Sequence, residues 1–190
     1  MITVSAQSGV RRTPDEASWK IKFLVRQGKR LGLLRICGRE FDQAWDHFLE
    51  AVRDELTVGG GQFLSLDFSP FEERSFAELL LEELESVRAE HPLRIDLPMA
   101  HSKSPFIQRA IVWQRLCDRL IEDEELSRPT LLVIENFDQA DERFRSDVER
   151  LIRFHITHNI RRTFLLTLRD EDREILPPSL SRFVDSCIDC

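Results

Sequence analysis

The chain lacks any apolar run long enough to cross a bilayer, and residues Met1 to Pro14 contain no apolar stretch that could act as a secretory leader. Together these absences predict a cytoplasmic protein with no membrane contact. Cysteine is scarce: Cys37, Cys117, Cys187 and Cys190 are the only four in 190 residues, and only the last two lie close together. That pattern argues for reduced thiols and against a disulfide framework. Glycine forms a single run, at positions 59–61, and no internal repeat or low-complexity tract is present. Excess positive charge is missing too. With 27 Lys and Arg against 34 Asp and Glu, the net charge of -7 offers no global attraction to nucleic acid, which is therefore not expected as a partner.

What is present is enough apolar content, 42%, to bury one sizeable core. Leu31 to Cys37 read as a short strand ending at Gly38, followed by a helix with Phe41, Trp45, Phe48, Leu49, Val52 and Leu56 on one face. Gln62 to Phe68 read as a second strand, and Ser75 opens a helix carrying Phe76, Leu79, Leu80, Leu84 and Val87. After an irregular excursion over Arg88 to Ser104 comes a third helix with Ala110, Trp113, Cys117, Leu120 and Ile121 inward. Leu131 to Ile134 form a continuous apolar run, as in a strand buried on both faces. Asp141 caps a fourth helix with Phe144, Val148, Leu151 and Ile152 buried, and strands follow at Thr163 to Leu168 and Phe183 to Ile188.

Alternation of strands and helices predicts a three-layer α/β/α sandwich around a mainly parallel five-stranded sheet. Residues 31–190 form this core, with residues 1–30 as a lead-in segment packed on it. The lead-in allows a hairpin, from Trp19 to Val25 through Gln27 and Gly28 into Leu31, or a helix over Asp15 to Arg30; the helix is the preferred reading.

The order of elements from Leu31 to Cys190, with an acidic segment after the central strand, resembles the P-loop NTPases of the AAA+ class and their STAND-type signalling relatives. Leu131-Leu132-Val133-Ile134-Glu135-Asn136-Phe137-Asp138 is similar to a Walker B strand. Glu135 stands at the place of the magnesium-holding acid and Asn136 at that of the water-activating glutamate. An amide orients water but accepts no proton from it. Asp138 matches a further acid of the family, and is equally a turn residue. A phosphate loop reads G-x-x-x-x-G-K-[ST], whereas from Gly38 this chain runs Arg39, Glu40, Phe41, Asp42, Gln43, Ala44 and Trp45. Ala44 takes the place of the lysine and Trp45 that of the magnesium-binding hydroxyl. Thr167 corresponds to a γ-phosphate sensor, and Arg182, in Ser181-Arg182-Phe183, to an arginine finger. A core of this kind places the strand ending at Gly38 beside the strand carrying Thr167. The chain ends soon after the fifth strand, so no helical lid is expected.

The resemblance thus implies a pseudo-ATPase, not an enzyme, with no cofactor, that binds protein as a regulatory or scaffolding subunit. Its partner would be an intact ATPase or a second copy of itself. Two alternatives stand beside it: a nucleotide-dependent or DNA-associated ATP-binding protein using ATP and magnesium through an atypical loop, and an α/β interaction domain unrelated to ATPases. Cys187, Cys190, His155 and His158 have the arithmetic of a zinc site, but His155 falls on the apolar side of its helix and reads as a core histidine. The arginines from Arg143 to Arg162 alternate with acids and read as a salt-bridged helix face.

Overall fold

The computed structural model describes residues 13–36, 44–67, 75–86, 105–124, 129–169 and 178–189. Its first element is α1, Pro14–Arg26, so the helical reading of the lead-in holds. The reason is local. Thr13 and Glu16 form a reciprocal capping box, with Pro14 as the first helical residue. Strand β1 follows at Leu31–Arg35, then α2 at Trp45–Val58 and β2 at Gln62–Asp67. Helix α3, Phe76–Ser86, begins after Ser75, whose hydroxyl accepts from the Glu78 amide while the Glu78 carboxylate accepts from the Ser75 amide.

Helix α4 spans Pro105–Glu124 and β3 Thr130–Glu135. A short 3-10 turn at Phe137–Gln139 leads to α5, Glu142–Thr157, capped by Asp141 through a 2.7 Å bond from the Phe144 amide. Strand β4 is Arg162–Leu168, α6 the single turn Pro178–Ser181, and β5 Ser186–Asp189.

All strand pairings are parallel, in the order β2-β3-β4-β1-β5. β1 lies beside β4 with Leu34 opposite Thr167, the neighbour expected from the resemblance. Side chains alternate across the sheet, as the two-residue period of a strand requires. Leu34, Phe63, Leu131, Val133, Leu165 and Ile188 join α1 and α2 on one face. Leu33, Leu64, Leu132, Ile134, Phe164 and Leu166 join α3, α4 and α5 on the other. The result is the three-layer α/β/α sandwich. Each fully buried leucine or phenylalanine contributes about 1.5–3 kcal/mol.

Two glycines permit close approaches. A Cβ on Gly32 would lie 3.1 Å from Leu24 Cδ1 and 3.2 Å from Leu165 Cδ1, so α1 rests directly on β1. A Cβ on Gly61 would lie 2.9 Å from the Pro129 carbonyl oxygen, where α2 turns into β2.

The structure corrects several expected details. Ala110 and Ile121 of α4 are exposed, and Leu116 and Arg119 are buried in their place. At about 100° per residue, Ala110 and Ile121 lie roughly 120–140° from Leu116, around which the buried stripe is centred. The last strand starts at Ser186, with Phe183 and Val184 half-buried in the turn before it. The Arg143 to Arg162 stretch is no single face: Arg153 pairs with Glu149 at 2.6 Å, Arg150 lies 4.4 Å over the Trp113 ring, and Arg162 is buried.

Candidate functional site

Parallel strands deliver their carboxyl ends to one rim of the sheet. β2 and β3 end there with Asp67 opposite Glu135, and β4 brings Thr167 alongside. Trp45, the first residue of α2, reaches the same rim.

Glu135 is engaged at both oxygens. Trp45 Nε1 donates to Oε2 at 2.5 Å, and Ser65 Oγ donates to Oε1 at 2.5 Å. The Trp45 ring is only 3% exposed and stacks on Phe48 with centroids 5.5 Å apart, so packing and hydrogen bonding together fix its orientation. Asn136 sits in the left-handed region at φ 52°, ψ 36°, a conformation asparagine tolerates better than most side chains. That turn sends its amide nitrogen to Asp67 Oδ1 at 2.5 Å, while its backbone N–H donates to Thr167 Oγ1 at 3.0 Å. Thr167 itself is 1% exposed.

Glu135, Asn136 and Thr167 are therefore brought together with Trp45. Asp138 stands apart: its carbonyl accepts from Arg145 Nη2 at 2.7 Å, and its buried Oδ1 has no hydrogen-bond partner among the described residues. Ala44 precedes α2 without a side-chain cap. Gly38, Arg39 and Gln43 lie outside the described residues. Ser65 and Asp67, which complete the cluster, carried no signal in local periodicity, since they meet Glu135 and Asn136 from about 70 residues away in sequence.

Arg182 is at the opposite rim. It precedes β5, its guanidinium lies 4.7 Å over the Phe183 ring, and it lines a cleft with Lys29, Arg30 and Asp185 at the amino ends of β1 and β5. The length of the strands separates it from Glu135 of the same chain.

His155 is 2% exposed. Its Nδ1–H donates to the Leu151 carbonyl at 2.9 Å, which leaves Nε2 as the acceptor facing Arg162 Nη1 at 3.5 Å. Burial first, and the Arg162 charge second, push its pKa down to about 3. Both nitrogens are thus committed to the core. The His158 ring lies tilted against Phe154, with centroids 4.2 Å apart. Cys187 is a half-buried thiol, raised in pKa by burial, and donates to Asp189 Oδ1 at 3.6 Å. Cys190 lies outside the described residues, among which no group of metal-ligating side chains occurs. No helix among them is long and apolar enough to cross a membrane.

No protein-family profile matches the chain, and no curated protein matches it in sequence. Solved structures do resemble it. The Aeropyrum pernix ORC2 protein, in ADPNP and ADP complexes, aligns with a TM-score of 0.55 at 11% identity over 93% of this chain and 46% of that one. Drosophila ORC bound to DNA gives 0.52 at 14% identity, covering 93% of this chain and 89% of that one. C. elegans PCH-2 gives 0.51 at 13% identity, covering 93% and 42%. The chain spans less than half the length of the ORC2 and PCH-2 chains. At such identities the likeness is one of fold, and that fold is the AAA+-like P-loop core.

Proposed function

We propose that this chain is a non-hydrolysing AAA+-like module that acts by binding protein, as a regulatory or scaffolding subunit. The observation that carries the reading is the occupancy of Glu135 by the Trp45 indole and the Ser65 hydroxyl. Magnesium-ATP does not fit these residues. A metal at Glu135 would have to displace one of those donors, and Trp45 supplies no oxygen at the place of the usual hydroxyl ligand. Asn136, held between Asp67 and Thr167, cannot take a proton from water. Function then rests on surface rather than on turnover, with an intact ATPase or a second copy of the chain as the partner.

A thermal-shift series with Mg-ATP, Mg-ADP and GTP tests this. A ligand at about 100 times its Kd stabilises a fold by about 2.7 kcal/mol. No shift is expected; a shift that disappears in Glu135→Ala would overturn the reading.

A second reading, in which the chain joins a DNA-bound assembly, is favoured by the likeness to Drosophila ORC bound to DNA, 89% of whose chain is covered. Anisotropy of a labelled duplex checks it: DNA contact requires an affinity that falls steeply as salt rises.

A further inference from the structure

Five large apolar side chains are exposed among the described residues, and three of them, Trp19 at 63%, Phe23 at 46% and Val58 at 91%, line one groove of about 530 Å³ between α1 and α2. Trp19 and Phe23 are one helical turn apart and stack with centroids 5.6 Å apart and an 18° interplanar angle. The opposite face of α1 buries Ala17, Ile21, Leu24 and Val25 in the core. Helix α1 therefore carries two apolar faces, and among the described residues only one packs into the core. Exposed apolar residues scattered singly are ordinary; three gathered in a groove mark a contact surface, and a preordered tryptophan is a frequent anchor of such surfaces.

The groove does not end in neutral ground. Arg26 lines it and also lines the adjoining cleft, of about 420 Å³, at the amino ends of β3 and β4. Arg30 and Arg161 line that cleft with Gln27 and Asn159, and among the described residues no carboxylate lines it. The Arg30 guanidinium is oriented by a 3.1 Å bond to Asn159 Oδ1. In a chain of net charge -7 this is a local reversal of sign. At the apolar end Asp54 and Glu55 also border the groove, Glu55 paired with Lys22. A phosphodiester backbone running across both parts would meet those carboxylates, whereas a peptide can place an uncharged side chain there.

We infer that the two parts form one docking site for an acidic segment of a partner protein. An apolar side chain of the segment packs against Trp19, Phe23 and Val58, and the carboxylates that follow lie over Arg26, Arg30 and Arg161. The inference rests on the reading of the chain as a protein-binding module and names the chemistry of what is bound.

The test is selection of a random displayed-peptide library on the full chain, followed by anisotropy titration of the enriched peptides. Enriched sequences should hold an aromatic or aliphatic residue followed by several acids. Their affinity should fall by about tenfold or more in Trp19→Ser and in the double variant Arg26→Glu, Arg30→Glu. It should weaken with salt, and it should be unchanged in Ile107→Ser, an exposed apolar residue on α4. Trp45 and Trp113 are 3% and 6% exposed, so bound peptide should also shield Trp19 fluorescence from acrylamide.

Enrichment of nothing, enrichment without acids, or binding indifferent to both variants would overturn the proposal. So would competition by oligothymidylate, which assigns the site to nucleic acid, or a concentration-dependent dimer abolished by Trp19→Ser, which assigns it to a second copy. A nucleotide-induced thermal shift with peptide binding intact would sink the non-hydrolysing reading and leave this one standing. Lost peptide binding without such a shift would do the reverse.

Discussion

At the carboxyl rim of the sheet Trp45, Ser65, Asp67, Glu135, Asn136 and Thr167 are bonded to one another. At the amino rim of the same sheet Arg26, Arg30, Arg161 and Arg182 line clefts instead. Open parallel sheets usually receive ligands at the carboxyl rim, where strand ends and helix starts converge. In this chain one buried tryptophan at a helix start occupies an oxygen of Glu135 at that rim, while among the described residues the opposite rim lines clefts with arginines. A shared fold therefore leaves open which of its ends meets other molecules, and the side chains decide it.

Substitutions should separate the two rims, and the largest effect belongs to Trp45. Trp45→Ala removes a nearly buried indole and the donor to Glu135, and should cost about 3–5 kcal/mol in urea denaturation. Trp45→Phe, which keeps the packing and loses only the hydrogen bond, should cost about 1–3 kcal/mol. An unchanged stability in Trp45→Phe would show that the Glu135 bond contributes nothing.

Next is His155, a buried neutral group near the arginine-bearing rim. Folded, its pKa lies at about 3 against the ordinary 6.5. As pH falls the unfolded chain takes up this proton first, so the stabilisation is complete above about pH 6.5. Below it the loss runs at up to about 1.4 kcal/mol per pH unit, and it levels off near pH 3. His155→Gln removes that dependence. The difference in stability between wild type and variant should shift by about 2 kcal/mol between pH 7 and 5, measured by urea midpoints, with the carboxylates common to both cancelling.

Asn136→Ala should cost about 1–2 kcal/mol, because alanine pays more for the left-handed conformation, and Asn136→Gly should cost less. Thermal unfolding of the pair checks whether conformation or the Asp67 bond dominates. The smallest effect is expected for Trp19→Ser: its exposed ring supports no core, so stability should stay within about 0.5 kcal/mol of wild type.

Much of the layered architecture could be read from periodicity. Phe48, Leu49, Val52 and Leu56 of α2 and Phe144, Val148, Leu151 and Ile152 of α5 are buried as their spacing implied, because an amphipathic helix carries its packing direction in its own residues. The twenty-residue α4 was read less well, since a stripe centred on Leu116 and one centred on Cys117 differ by a single position. At the carboxyl rim Glu135, Asn136 and Thr167 were suggested by the Walker B-like run and the strand order it implied. Ser65 and Asp67 were not, because the register of β2 against β3 is a long-range property. The aromatic groove had a signal that went unused: Trp19 and Phe23, four residues apart, lie opposite Ile21, Leu24 and Val25 on α1, more apolar surface than one buried face needs.

Gly32 has a bearing on that groove. Because it offers no side chain, Leu24 seats α1 against β1 without a cushion between them. Trp19 and Phe23 ride on that helix, whereas Arg161 is fixed to the start of β4, so the interval between aromatic and basic ends is set by a helix-to-strand contact rather than by a loop. The protein carries a ruler. A methyl group at Gly32 would need Leu24 and Leu165 to give by a few tenths of an ångström, and any part of that taken up by α1 would alter the spacing of apolar and acidic residues that a bound segment would have to match.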